Sequence, residues 1–305
     1  MSHSRAVALM VLVTLMWSIA GVVTRHLEAA RSFEVTFWRS AFTSVALALA
    51  LSWVRGVALW RDLARANTVQ WVSGLCWAVM YTAFMVAITL TNVANVLITL
   101  AIAPLVTAVF ARVALHHRLP ARTWIAIGVA GVGIAWMFVH EMQLGSGALV
   151  GMGVALAVPV AGAVNWTLLQ HVSHGSADPD DSAPAPDMLP AVLLGALISA
   201  AVALPLAWPL RASMHDLSLL ALLGVVQLAI PCLIAVRLSQ VLPGPEIALL
   251  ALLEVLFGVT WAWLGAGEAP TASALSGGTL VLAALVGNEV IALHQRRRLA
   301  LRPAR

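Results

Sequence analysis

The chain has 305 residues, 61% hydrophobic and 10% charged, with a mean hydropathy of +0.95 and a formal net charge of +4. A soluble domain of this size carries about 25% charged residues to solvate its surface, so a water-soluble globule is excluded. In lipid the balance reverses, because charge is costly there and apolar side chains are not. Every basic side chain is Arg, and the arginines flank apolar runs. That placement points to the cytoplasmic leaflet of a membrane and away from nucleic acid.

Runs of about 20 apolar residues read as membrane-spanning helices. They are helices and not strands because each run must satisfy its own backbone in lipid. The chain is therefore expected to be an all-α integral membrane protein of about ten transmembrane helices. The first span, 6–25, carries Thr14, Trp17, Ser18 and Gly21 on one face. Ser18-Ile19-Ala20 resembles a signal-peptide cleavage site, but the apolar core is too long for one and further spans follow, so the segment is expected to be retained. The second span, 33–53, contains Arg39 about one and a half turns from its start. An ionisable group at membrane depth costs roughly 2.5–3.5 kcal/mol and is a functional candidate by default. Arg39 is expected to serve gating or coupling, with a side chain long enough to snorkel outward.

The third span, 68–90, places Trp77, Tyr81, Phe84 and Ile88 at helical spacing, with Met80 and Met85 beside them. Such a stripe is either an aromatic core stripe or, because membrane helix contacts favour small residues, one that faces lipid or a solute cavity. Tyr81 is the only tyrosine, and its hydroxyl needs a partner at that depth. The fourth span, 92–115, offers Asn92, Asn95 and Thr99 along one stripe, for interhelical bonds or for a solute's amino or carboxylate group. The fifth span, 121–139, is glycine-rich.

The sixth span, 147–171, has Pro159, Gly162, Asn165 and Trp166. Pro159 removes one backbone bond and frees a carbonyl that can line a cavity. The stretch 173–187 reads as a flexible cytoplasmic loop. The seventh span, 188–208, is polar only at Ser199 and is expected to face mostly lipid. In the eighth, 217–238, Gln227 precedes Pro231 by one turn, a second kink with a gating role. The ninth, 244–265, holds Glu254 near its middle, a candidate for a proton or a solute's amino group. The tenth is 271–293. Trp53, Trp60, Trp71, Trp124 and Trp208 lie at span ends and read as interfacial anchors.

Arginine is concentrated on alternate connections. With the N-terminus inside, Arg5, Arg55, Arg61, Arg65, Arg112, Arg118, Arg122, Arg237 and the tail arginines are cytoplasmic, against Arg25, Arg31 and Arg211 outside. Both termini are then cytoplasmic by the positive-inside rule. Sliding the chain on itself so that Pro120 falls on Pro270 also pairs Gly128 with Gly278, Thr123 with Ser273, and Leu100-Ala101 with Leu250-Ala251. Two five-span repeats follow, 1–144 and 145–305, the second inverted because five is odd. Inverted repeats place a solute site at their interface near the midplane.

Phe37-Trp38-Arg39, the stretch Leu100-Ala101-Ile102-Ala103-Pro104-Leu105, the glycine run 128–133 and Gly267-Glu268 together resemble the drug/metabolite transporter superfamily, in its EamA-type branch. The resemblance implies five-plus-five helices and export of a small solute. Pro104 and Glu268 fit the family pattern, whereas Glu254 replaces a second proline and His117-Arg118 replaces a first Gly-Glu. In length and aromatic interior the chain is similar to YddG-type aromatic amino acid exporters, which implies a bacterial inner membrane location.

The candidate solute-binding residues are thus Trp17, Trp77, Met80, Tyr81, Phe84, Asn95, Thr99, Trp166, Gln227 and Glu254, with Arg39, Pro159, Pro231 and Glu254 for gating or coupling. An intramembrane enzyme is disfavoured by the lack of any HExxH, paired intramembrane aspartates or nucleophile elbow. Cys76 and Cys232 show no metal spacing, so neither metal nor cofactor is expected. Nucleotide-sugar or other metabolite carriers are the alternative relatives. The expected partners are a small-molecule solute and the bilayer, with no nucleic acid. A monomer suits the sequence, Gly147 and Gly151 being a weak helix-contact motif.

Overall fold

The computed structural model describes residues 3–114, 121–141, 146–175, 187–242 and 244–300. Among them the order is α1 His3–Thr24, α2 Ser32–Arg55, α3 Ala58–Ala64, α4 Thr68–Leu90, α5 Val93–Leu100, α6 Ala103–Ala114, α7 Ala121–Glu141, α8 Ser146–Ala155 and α9 Ala157–Gly175. There follow α10 Leu189–Ala207, α11 Met214–Leu222, a π-helical segment Leu223–Ala229, α12 Ile230–Leu238, α13 Gly244–Ala266 and α14 Ala272–Ala300. Among the described residues six stretches are long and apolar enough to cross a membrane: His3–Thr24, Ser32–Arg55, Thr68–Leu90, Gly147–Leu169, Leu189–Ala207 and Met214–Leu238. Shorter apolar helices, Val93–Thr107, Trp124–Gly133, Leu253–Ala266 and Ala272–Asn288, lie in the other expected spans.

Three interruptions have one chemical origin. Proline lacks an N–H and its ring clashes with the carbonyl four residues back. Pro104 follows the break between α5 and α6, and Pro159 follows the end of α8 at Ala155. Pro231 follows the π-helical segment, with Gln227 one turn before it. The break expected of Pro159 therefore lies one turn N-terminal to the proline itself, which sits in the first turn of α9.

α10 packs along both α2 and α4, α1 lies on α13, and α7 lies on α14. α9 lies against α4 and α6, and the π-helical segment against α2 and α1. The expectation that residues 188–208 face mostly lipid fails for the first half of α10, while Leu197, Val202, Leu204 and Leu206 of the second half are exposed. Leu189 to Ala196, Ser199 and Ala203 of α10 are largely buried. Its small residues allow this, since a Cβ on Gly195 would stand 2.3 Å from that of Trp77. The Ser199 hydroxyl shares hydrogen bonds with Ser40 (2.9 Å) and Thr82 (2.9 Å), joining α10 to α2 and α4.

Trp53, Trp60, Trp71, Trp124 and Trp208 are exposed, as their span-end positions suggest. Most of the expected loop 173–187, residues 176–186, lies outside the described residues, as do His117-Arg118; 173–175 belong to α9. Asp187 is tied down: it forms an ion pair with Arg55 and its carbonyl accepts from Gln70 Nε2 at 2.9 Å.

Candidate functional site

α2 turns an unusually polar face inward. Thr36, Arg39, Ser40, Thr43 and Ser44 are all buried. The hydroxyls of Thr43 and Ser44 bond one turn back, to the carbonyls of Arg39 (2.8 Å) and Ser40 (2.8 Å), so their polarity is largely absorbed by the helix itself. Thr43 Oγ1 also reaches the carbonyl of Gly224 at 2.9 Å. A Cβ on Gly224 would stand 2.7 Å from the Arg39 carbonyl and 2.6 Å from Phe42 Cβ. Glycine is thus required for the π-helical segment to approach α2 at this level.

Arg39 stands out on that face because its own helix cannot absorb it. The side chain is 1% exposed, so the outward snorkelling expected of it does not occur. Nη1 donates to Gln227 Oε1 at 3.2 Å and Nη2 to the Tyr81 carbonyl at 2.7 Å. The guanidinium carbon lies 5.9 Å from the centroid of Phe84, within cation–π reach. Gln227 in turn donates through Nε2 to the Trp17 carbonyl at 3.2 Å. One chain of polar bonds therefore runs from α1 through the π-helical segment and α2 to α4.

Aromatic rings surround this chain. Trp77 lies 5.5 Å from Tyr81 and meets Trp166 of α9 edge-on at 5.9 Å between centroids. Trp17, Met80 and Trp166 pack against the same apolar cluster as Trp77, Tyr81 and Cys232. The Tyr81 hydroxyl sits beside the Cys232 thiol, without hydrogen-bond geometry. Cys232 also lies in electrostatic range of both Arg39 and Glu254, which places the α13 carboxyl near this cluster. Below the rings Ser73 Oγ donates to Asn165 Oδ1 at 2.6 Å, clasping α4 to α9.

Trp17, Trp77, Met80, Tyr81, Phe84, Trp166, Gln227 and Arg39 are thus gathered in one place. Asn95 and Thr99 are not. Asn92 instead caps α5 by accepting from Asn95 N (2.8 Å), while Asn95 Nδ2 donates to Thr91 Oγ1 (3.4 Å) and Thr99 Oγ1 to the Asn95 carbonyl (2.7 Å). Pro159 and Pro231 are buried, each just beyond its helix interruption.

Sequence reasoning missed Cys232 as a wall of the cluster and Arg25 as anything but a loop charge. Arg25 Nε donates to Glu268 Oε2 at 2.7 Å, Nη1 to the Ile88 carbonyl at 3.0 Å and Nη2 to the Thr91 carbonyl at 2.7 Å. Glu268 Oε1 accepts from Val93 N at 2.7 Å, capping α5. Nearby, Asp216 accepts from the amides of Glu28, Ala29 and Ala30 at 2.8–2.9 Å, and Glu34 from those of Arg211 and Ala212 at 2.6–2.7 Å. The Gly267-Glu268 pair was visible as a family feature, but its partner in α1 was not.

Residues 4–139 match the model of the EamA-like transporter family. The match supports the drug/metabolite transporter superfamily and a membrane transporter of small solutes. A chain in a solved crystal structure of a protein is similar over 98% of this chain and 99% of its own, with a TM-score of 0.65 at 18% identity. That likeness speaks for the fold, and it extends the fold argument beyond residue 139 into the second half. No protein with a curated description matches the chain.

Proposed function

We propose that the protein exports small solutes, most readily aromatic and other apolar amino acids, across a bacterial inner membrane. Transport proceeds by alternating access around the Arg39–Gln227 centre. The observation that carries this reading is the meeting of Trp17, Trp77, Tyr81 and Trp166 around a buried polar chain. In this reading the ten spans are α1, α2, α4, α5 with α6, α7, α8 with α9, α10, α11 through α12, α13 and α14. Both termini lie in the cytoplasm, and the repeats are 1–144 and 145–305.

The packing supports a duplication. Exchanging the halves turns the α1–α13 contact into that of α9 with α6, and the α4–α10 contact into that of the π-helical segment with α2. The α2–α10 and α7–α14 pairs map onto themselves. The Arg39–Gln227 bond and the Trp77–Trp166 edge contact both join one half to the other, where inverted repeats hold their solute. Glu254 receives the solute's amino group, and the interruptions before Pro159 and Pro231 are the points at which the helices bend. Arg25 and Glu268 fasten the outer end in this state.

The test is entry of labelled phenylalanine into liposomes containing the purified protein, against empty vesicles, with unlabelled amino acids as competitors. Saturable entry blocked best by tryptophan, tyrosine and phenylalanine is expected. Entry equal to that of empty vesicles removes the amino acid reading.

A further inference from the structure

Arg39 carries a charge into the middle of the protein, and none of the described residues around it is a counter-ion. The side chain is 1% exposed, and its two hydrogen-bond partners are an amide oxygen and a main-chain carbonyl, both neutral. Among the described residues no carboxylate lies within ion-pair distance of it. Its Nε is buried without a partner. Burying a cation with neither counter-ion nor a full set of acceptors is among the costlier things a fold does. If Arg39 served only to tie helices together, glutamine or serine would do so at lower cost, as Ser199 does between α2, α10 and α4.

Two further donors in the same cluster are buried and unpartnered, Trp77 Nε1 and the Tyr81 hydroxyl. Tyr81 is the residue whose carbonyl Arg39 holds, and its ring contacts that of Trp77. Donors are therefore in excess at the place where rings from three helices converge. What this arrangement lacks is a planar, acceptor-only anion attached to an apolar body. A guanidinium fork binds a carboxylate through parallel N–H groups, Nε included, and does so more strongly than it binds neutral acceptors.

We propose that Arg39 binds the carboxylate of the transported solute through its unpartnered edge, so that a free carboxylate is the group the solute must carry. This rests on the solute-carrier reading above and adds to it a rule of recognition. A solute stripped of its amine is still bound through Arg39, and one stripped of its carboxylate binds only weakly and without it.

The experiment measures binding of labelled phenylalanine, 3-phenylpropionate and 2-phenylethylamine to the purified full-length protein in detergent. Wild type, Arg39→Gln and Arg39→Lys are compared, with thermal melting of each. Wild type is expected to bind the two carboxylates. Arg39→Gln should weaken both by ~10-fold or more, leaving the weak binding of the amine unchanged. Arg39→Lys keeps the charge and loses the fork; it decides the matter if the glutamine variant does not fold, and should weaken the carboxylates relative to the amine. Carboxylate binding indifferent to both substitutions, or an equal loss for all three compounds in a variant that melts normally, overturns the proposal. If phenylalanine binds without regard to Arg39, the proposal falls and the amino acid reading stands. If wild type ignores phenylalanine yet holds 3-phenylpropionate through Arg39, the reverse is true. If wild type binds none of the three, both fall.

Discussion

Arg25 and Arg39 are the same residue type used in two ways. Arg25 sits where α1, α4 and α13 end and α5 begins, partly exposed, and each of its three nitrogens is engaged, Nε with the Glu268 carboxylate. Arg39 sits fully buried among α2, α4 and the π-helical segment, with neutral partners and one nitrogen unused. The first arrangement is saturated, so adding a ligand gains nothing; it holds elements together. The second is incomplete, and in the proposed reading the solute completes it. Charge alone does not separate a fastener from a binding group; the partners do.

The most forceful way to break the comparison is to disturb Arg39 while sparing Arg25. Gly224→Leu would drive a side chain into Phe42 Cβ, 2.6 Å from the new Cβ, and into the Arg39 carbonyl at 2.7 Å. Overpacking of this kind costs about 1–3 kcal/mol and displaces the π-helical segment that carries Gln227. Phenylalanine entry into liposomes should be lost while the protein still inserts and migrates as one species. Entry at the wild-type rate would show that the close approach to α2 is dispensable.

Glu268→Ala addresses the saturated partner. It strips Arg25 of its acid and Val93 N of its cap, and should lower stability by about 1–2 kcal/mol in a denaturant or thermal melt. Combined with Arg25→Gln the losses should be less than additive, since each variant removes the same contact. Strict additivity would mean that the two residues act apart.

The mildest change is Tyr81→Phe. The hydroxyl it removes has no hydrogen-bond partner, so stability should move by less than about 0.5 kcal/mol. The affinity for a carboxylate solute should nonetheless fall a few-fold, and the competition assay in liposomes reads this directly. A large drop in melting temperature with unchanged affinity would reassign the hydroxyl to the fold.

Six of the expected spans were legible because about 20 apolar residues are what a helix needs to cross hydrocarbon, and Pro159 and Pro231 announced two of the breaks. Trp77, Tyr81 and Trp166 were legible as candidates because large rings are out of place at close membrane-helix contacts. The environment of α10 was not, since Ala, Gly and Leu read the same whether they meet lipid or a neighbour. The pairing of Gly195 with Ser199 one turn on was the signal, as small residues at that spacing admit a close partner. The inward course of Arg39 was hidden for another reason. Position along a span sets how far a side chain must travel to water, while its partners, Gln227 and the Tyr81 carbonyl, lie in distant segments.

The π-helical segment has a consequence for how the eighth span is read. A π turn holds more residues than an α turn, so it shifts the rotational phase of everything after it, by about 100° for each surplus residue. Asp216 before the segment gathers the amides of 28–30, while Gln227 and Cys232 within and after it face the centre. A helical wheel drawn straight through Met214–Leu238 would mix these two directions into one blurred face. The span is two amphipathic readings spliced out of register, and its sequence pattern makes sense only when each side of the splice is read by itself.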